Sequence, residues 1–387
     1  MHDSPTLNHA ARILAAAARD NAPADVALRH YFLEARQLGP ALRRGISRTV
    51  FAYFRWLQWL NPKTSLQRQL AQAGTLQERF NADEKSVKPE TLAVRAVPGW
   101  LAAEMDLPAA YLRQLQREPA LWLRTRPGTA AKLAAELGEC ELAARDPGLK
   151  TPMPVPDALR CTGTQDLFRT PAFQRGAFEI QDLASQLVSL AAAPRPGETW
   201  WDACAGEGGK TLHLAALMGG KGVVWASDRN DRRLQVLKRR AKRAEIFNYR
   251  LAPWDGSVRV PTKTRFDGIL VDAPCSGVGT WQRNPHARWT ATPRDVAELA
   301  VVQQSLLANV AASLEPGGRL IYSVCTLTRS ETTAAAEAFS AAHPEFEPAV
   351  LFDENPASPK GAAFLWPHEI NANGMFIAAW RKLQPPV

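Results

Sequence analysis

The sequence predicts an α/β chain: a helical region first, a short mixed region next, and a doubly wound parallel sheet in the second half. Three observations carry this reading. From Gly197 onward, short apolar runs alternate with helical segments in the rhythm of strand, helix, strand. Two of those runs, Gly268-Ile269-Leu270-Val271 and Arg319-Leu320-Ile321-Tyr322, lead directly into cysteine-bearing segments, as strands do when their carboxyl ends carry a site. Before Leu60, by contrast, the apolar positions recur at helical spacing.

Taken in order, Ala11-Arg12-Ile13-Leu14-Ala15, Ala27-Leu28-Tyr31-Phe32 and Ile46-Val50-Phe51-Phe54-Trp56-Leu57 read as helices. Helical patterning continues to about Arg95, and Pro98-Gly99-Trp100 marks a boundary. Leu121 to Thr125 reads as a strand, Ala130 to Leu137 as a helix, and the Pro-rich Thr151 to Pro156 as an extended connector. Gly176 to Ile180 reads as a strand that leads into a helix from Asp182 to Leu190. Strands follow at Thr199 to Ala203, Gly222 to Ser227, Tyr249 to Pro253, Phe266 to Val271 and Arg319 to Ser323, with helices at Arg232 to Glu245 and Arg294 to Leu314 between them. The expected domains are residues 1–95, helical; 96–196, small α/β and linker; and 197–387, the sheet domain.

With 387 residues, 46% hydrophobic and 22% charged, the chain is long enough for two or three cores and is not of a disordered class. No apolar run reaches the roughly 18 residues a membrane span needs. The start, Met1-His2-Asp3-Ser4-Pro5, lacks the layout of a signal peptide, so a cytoplasmic protein is expected. A net charge of +9 favours a polyanionic partner, with nucleic acid first. Arg36, Arg43, Arg44, Arg48 and Arg55 suit phosphate contact or a solvated helix face. The cluster Lys238-Arg239-Arg240 with Lys242 and Arg243 is open to the same two readings. Five cysteines without a Cys-x-x-Cys pair argue against zinc and predict free thiols in a reducing compartment.

The first sheet strand runs into Asp202-Ala203-Cys204-Ala205-Gly206-Glu207-Gly208-Gly209-Lys210-Thr211, a Gly-rich turn opening a helix. A P-loop requires glycine where Cys204 stands, and a dinucleotide fingerprint requires glycine where Thr211 stands. Asp228 ends the next strand, where an acid binds ribose hydroxyls, and Asp255 ends the one after, placed to reach an adenine edge. Together with Asp272 these strand-end acids point to an adenosyl cofactor. Cys275 and Cys325, at the ends of neighbouring strands, suggest nucleophilic sulfur chemistry, since a thiolate is a strong nucleophile near neutral pH. Taken singly, each reads equally well as a small buried apolar residue.

The chain resembles the RNA (cytosine-5)-methyltransferases of the RsmB/Nop/NSUN family, bacterial RsmB-like type. The resemblance rests on Cys204 to Lys210, Asp228, Asp255, Asp272-Ala273-Pro274-Cys275-Ser276-Gly277, Gly279-Thr280-Trp281-Gln282-Arg283-Asn284-Pro285, Cys325-Thr326 and Gly374-Met375-Phe376. Phe178 to Ser185 is also similar to the family's lead-in to the cofactor strand, and Ala24 to Leu57 is similar to its NusB-like RNA-binding domain. The resemblance implies a Rossmann-like methyltransferase domain preceded by an all-helical NusB-like domain and a small α/β RNA-binding region. It further implies S-adenosylmethionine as cofactor, cradled by Cys204, Ala205, Gly206, Glu207, Gly208, Gly209 and Lys210, with Asp228 on the ribose, Asp255 at the adenine and Asp272 between cofactor and base. Cys325 would then attack cytosine carbon 6, Cys275 would assist release, and Asp272 would bind the base near N3. Where the family usually has Ala-Pro, this chain has Gly206-Glu207.

Ribosomal RNA is the expected substrate, with transfer RNA second, and a monomer is the expected state. A DNA cytosine methylase follows its Pro-Cys with Gln, whereas Ser276 follows here. An amino-directed adenine methylase requires an Asn/Asp-Pro-Pro-aromatic run. A non-catalytic RNA-binding or assembly factor with the same fold is the remaining alternative. His286 and His368 stand as RNA contacts or as packed structural histidines.

Overall fold

A computed structural model describes residues 4–352 and 361–384; the opening Met1-His2-Asp3 lies outside the described residues. The chain divides into two compact units, one made of residues up to Pro119 with Thr280–Pro293, the other of Ala120–Gly279 with Arg294 onward.

The first unit is built on helices α1 (Ser4–Arg19), α2 (Ala24–Glu34), α3 (Pro40–Arg55), α4 (Leu66–Ala82), α5 (Pro89–Arg95) and α6 (Ala109–Gln114). Ile13, Leu14, Ile46, Val50, Phe54 and Leu70 make one apolar core, as helical spacing dictates. Several arginines serve this unit internally. Arg55 is buried and donates to Gln77 Oε1 at 3.0 Å, and burial lowers its pKa to about 10. Arg43 donates to the carbonyls of Leu38, Ala35 and Arg36, and Arg48 pairs with Glu118. Arg288, wholly buried, donates to Ala96 and Leu115 carbonyls at 2.9 and 3.0 Å, anchoring Thr280–Pro293 to the helices. The reading of Arg55 and Arg43 as phosphate-gripping residues is therefore corrected: backbone and amide oxygens already occupy them.

The second unit holds two sheets. The smaller is antiparallel, in the order β2-β3-β1-β4, from β1 (Leu121–Thr125), β2 (Cys140–Leu142), β3 (Ala158–Cys161) and β4 (Phe178–Ile180), with α7 (Ala130–Leu137) between β1 and β2. Its Trp122 is buried in the same core as Trp200 and Leu270 of the larger sheet, and the indole N–H donates to the Asn371 carbonyl at 2.9 Å. Cys140 and Cys161 face each other across β2 and β3 with Cα atoms 4.2 Å apart and form a disulfide. This corrects the expectation of five free thiols; a cross-strand partner is set by register, which cysteine spacing does not reveal.

The larger sheet follows α8 (Leu183–Ala192) and contains β5 (Thr199–Asp202), β6 (Val223–Ala226), β7 (Tyr249–Leu251), β8 (Phe266–Asp272), β9 (Leu314–Val324), β10 (Phe346–Pro348), β11 (Ala362–Leu365) and β12 (Met375–Lys382). Helices α9 (Gly209–Leu217), α10 (Asp231–Ala244), α11 (Pro293–Ala311) and α12 (Thr333–Ala342) alternate with the strands. The order is β10-β12-β9-β8-β5-β6-β7, with β11 paired to β12. Strands β7-β6-β5-β8-β9 are parallel, as expected; β12, β10 and β11 add an antiparallel edge, so the sheet is mixed. Gly268 of β8 lies opposite Trp200 of β5, where an added Cβ would fall 2.3 Å from the indole; glycine here admits the tryptophan. The strand order reverses between β5 and β8, which opens a crevice at their carboxyl ends. Among the described residues no helix is long and apolar enough to cross a membrane.

Candidate active site

The crevice is a cavity of about 420 Å³ lined by the turn after β5 and the ends of β6, β8 and β9. The turn bends because Gly206 and Gly208 hold left-handed conformations, at φ +56° and +87°. Leu237 of α10 fills the space where a Gly208 side chain would begin. The Gly206 N–H donates to Asp228 Oδ2 at 3.0 Å, and Arg233 Nη1 reaches the same oxygen at 3.3 Å. A Cβ on Gly206 would lie 2.7 Å from Arg233 Nη2, so glycine at this point leaves room for the guanidinium. Asp228 Oδ1 accepts from the Asn230 N–H, and Asn230 in turn caps α10.

Asp202 lies beneath the turn, wholly buried. Its Oδ2 accepts from the Thr211 hydroxyl at 2.7 Å, while its Oδ1 has no hydrogen-bond partner among the described residues and burial pushes its carboxyl up to about 7. Burial likewise pushes the Cys204 thiol well up. Past β7, Trp254 packs on Trp201 with ring centroids 5.1 Å apart, and exposed Asp255 is held below its ordinary pKa by hydrogen bonds from the Ser257 side chain and from the Ser257 N–H, the latter at 2.9 Å. Glu207 points to solvent, and its backbone carbonyl accepts from Arg240 at 2.9 Å.

On the other side of the crevice, β8 and β9 run side by side and bring Cys275 Sγ and Cys325 Sγ to 3.2 Å. The hydrogen bond to Cys325, then burial, raise the Cys275 thiol well above its ordinary range, so it holds its proton. Lys210, at the start of α9, donates to Asp272 Oδ2 at 2.6 Å, and the Ser323 hydroxyl donates to Oδ1 at 2.7 Å. Burial opposes the Lys210 charge, but Asp272 outweighs it and the ammonium is held. Thus Cys204 to Lys210, Asp228, Asp255, Asp272, Cys275 and Cys325 line one cavity, except Gly208, which lies under the turn. His286 packs edge-on against Phe54 in the helical unit, and His368 lies beside Trp366; both pKa values are lowered by burial. In α10, Arg240 and Arg243 are spent on Glu179, whereas Lys238, Arg239 and Lys242 are exposed.

The cavity suits one cofactor chemistry. A phosphate group would meet the carboxylates of Asp228 and Asp255, whereas a nucleoside bearing an ammonium and a sulfonium finds acceptors, including the buried Asp202 Oδ1, which has no hydrogen-bond partner among the described residues. Fold and site together define an S-adenosylmethionine-dependent methyltransferase. A family model described as 16S rRNA methyltransferase RsmB/F matches residues 189–381. The chain is 34% identical over 316 residues to the probable ribosomal RNA small subunit methyltransferase B of Synechocystis, covering 79% of this chain and 69% of that one. The same-named Bacillus subtilis protein is 38% identical over 221 residues, covering 55% of this chain and 49% of the relative. In fold, the crystal structure of PH0851 is similar over 98% of this chain and 100% of its own, at a TM-score of 0.76 and 23% identity. The chain belongs to the RsmB/F methyltransferase family.

Sequence reasoning passed over four contributors: Asp202, read only as the start of the turn; Ser323, read as strand; Arg233, read only as part of the helix from Arg232; and Glu331, which bonds Ser276. The Asp202-x-x-x-Gly206 spacing and the position of Ser323 two residues before Cys325 were available signals. Glu331 offered none, because Ser276 and Gln303, the partners that tie it to the Cys275 loop, lie far away in sequence.

Proposed function

We propose that this protein methylates carbon 5 of a cytosine in ribosomal RNA through a covalent bond between Cys325 and the base. The observation that carries the reading is the pair of thiols 3.2 Å apart in the same cavity as the cofactor turn, beside the Lys210 and Asp272 pair. Bound S-adenosylmethionine supplies an electrophilic methyl group there. Asp228 accepts from the ribose hydroxyls, Asp255 lies at the adenine, and the amides of residues 204–210 with Asp202 hold the amino-acid end.

Carbon 5 of cytosine is a weak nucleophile. The Cys325 thiolate gives its electron pair to carbon 6, the 5,6 double bond shifts its density to carbon 5, and the charge spreads toward N3, where Asp272 holds the base. Once carbon 5 carries the methyl group, its proton leaves to a base, the C–H pair restores the double bond, and Cys325 departs as thiolate. Cys275, beside the departing sulfur, assists this release. The relatives' names point to small-subunit ribosomal RNA, which the +9 charge suits, and transfer RNA stands second. Residues 1–95 serve as a NusB-like RNA-binding domain and 96–196 as a small RNA-binding region ahead of the catalytic domain from 197. The protein works as a monomer in the cytoplasm, where that RNA is processed.

The test is nucleoside analysis of small-subunit ribosomal RNA incubated with the protein and methyl-labelled S-adenosylmethionine. Label in 5-methylcytidine supports the reading. Label at a ribose oxygen or an exocyclic nitrogen, or a protein that binds RNA without transferring the label, overturns it.

A further inference from the structure

One buried carboxylate beside the thiols has no part in the steps above. Glu331 is fully buried, six residues after Cys325, and all its acceptor positions are filled. Its Oε1 accepts from the Ser276 N–H at 2.8 Å and from Gln303 Nε2 at 2.9 Å; its Oε2 accepts from the Ser276 hydroxyl and, at 2.8 Å, from that of Thr328. The Gln303 amide also donates to the Pro274 carbonyl at 2.9 Å. The residues on either side of Cys275 are thus gripped by one network. The Ser276 hydroxyl also lies within hydrogen-bond distance, 3.0 Å, of the Thr326 hydroxyl, and Thr326 follows Cys325 directly. Tyr322 of β9 closes the network, its hydroxyl 2.6 Å from the Glu331 carbonyl and 3.0 Å from Gln303 Oε1.

We infer that Glu331, acting with Gln303 and Ser276, is a positioning residue that clamps the two thiol loops and holds Cys275 in register for release of the methylated base. The inference rests on the release role of Cys275 given above. A buried carboxylate is costly unless fully satisfied, and when satisfied it fixes geometry that apolar packing leaves loose. Four donors converge on the two Glu331 oxygens, an arrangement that a carboxylate satisfies and a neutral amide, with N–H groups of its own, does not. The charge of Glu331 also adds to the upward push on the Cys275 thiol, behind the hydrogen bond to Cys325, burial and the Cys325 charge. The clamp therefore keeps the two sulfurs close while leaving Cys275 protonated.

A positioning role predicts an effect on one step. Glu331→Gln keeps the size but turns an amide N–H toward donors; Ser276→Ala removes one hydroxyl and leaves Glu331 in place. Each variant, the parent and Cys275→Ala would be given RNA and S-adenosylmethionine, with single-turnover methyl transfer, multiple turnover and denaturant-resistant protein–RNA adduct all measured. In Glu331→Gln the first transfer should stay within about threefold of the parent, multiple turnover should fall by about tenfold or more, and adduct should build up as in Cys275→Ala; Ser276→Ala should show a smaller effect in the same direction. If both rates fall together and no adduct forms in either variant while Cys275→Ala does trap RNA, Glu331 only stabilises the fold and the clamp is refuted. If Cys275→Ala itself traps nothing, the release role fails and the clamp's function goes with it.

Discussion

The two sides of the crevice differ in how completely their carboxylates are bonded. At the thiol side both Asp272 oxygens and both Glu331 oxygens are taken by protein donors. At the cofactor side both Asp228 oxygens are likewise taken by protein donors, but among the described residues Asp202 keeps one buried oxygen unpartnered, and Asp255 faces solvent with contacts to the Ser257 turn. One side is rigid before anything binds, which suits the placement of a nucleophile; the other is left to be completed by a ligand, which suits a cofactor that exchanges at every turnover.

The largest expected effect is on the rigid side. Asp272→Asn removes the counter-charge of Lys210 and the proposed contact to the base near N3, so turnover should fall on the order of a hundredfold with S-adenosylmethionine affinity changed far less. Steady-state kinetics set beside calorimetric binding separates the two. Equal losses in both would dissolve the contrast between the sides.

On the cofactor side, Asp228→Ala deletes the proposed ribose acceptor and removes the partner of the Gly206 N–H and of Arg233. Affinity for S-adenosylmethionine should weaken by about 1.5–3 kcal/mol, read by calorimetry. An unchanged affinity would remove Asp228 from the site.

A smaller effect concerns pH. Folded Asp202 holds its proton up to about 7, whereas the unfolded carboxyl loses it near 3.8. Between those values the unfolded chain binds fewer protons, so this group's contribution to stability falls as pH rises from about 4 to 7 and is level above. Asp202→Asn escapes the loss. Without cofactor it should melt above the parent at pH 7.5, and the gap should close toward pH 4; a gap independent of pH would show that Asp202 is not held protonated. The smallest effect is expected at the family departure. Because Glu207 engages the protein through its backbone carbonyl while its side chain is exposed, Glu207→Ala should change S-adenosylmethionine affinity by less than about threefold.

Much of the parallel sheet was legible because apolar runs with turn residues at their ends are local signals: the strands ending at Asp202, Asp272 and Val324, and the thiols beyond them, follow from short stretches. What escaped depended on partners distant in sequence. Glu331 sits in Arg329-Ser330-Glu331-Thr332, which reads as an exposed turn until Ser276, fifty-five positions away, is brought against it. Gln303 looks like a solvent position of α11, and its burial is decided by Pro274 and Tyr322. Arg55 and Arg288 were hidden by the ordinary preference of arginine for the surface; carbonyl and amide oxygens that only tertiary packing supplies hold them inside. The edge strand β12 was read only as the motif Gly374-Met375-Phe376, although the apolar run continues through Trp380.

The central claim, that two adjacent thiols divide attack and release, is tested most directly by looking for a covalent protein–RNA complex in the two single cysteine variants. Cys275→Ala, given RNA and S-adenosylmethionine, should methylate once and then migrate as a complex on a denaturing gel, because the adduct forms and lacks its exit. Cys325→Ala should form no complex and transfer no methyl group, and the double variant should lose the complex. A complex that accumulates in Cys325→Ala instead would exchange the roles of the two thiols, and unaltered turnover in both single variants would contradict the two-thiol account altogether.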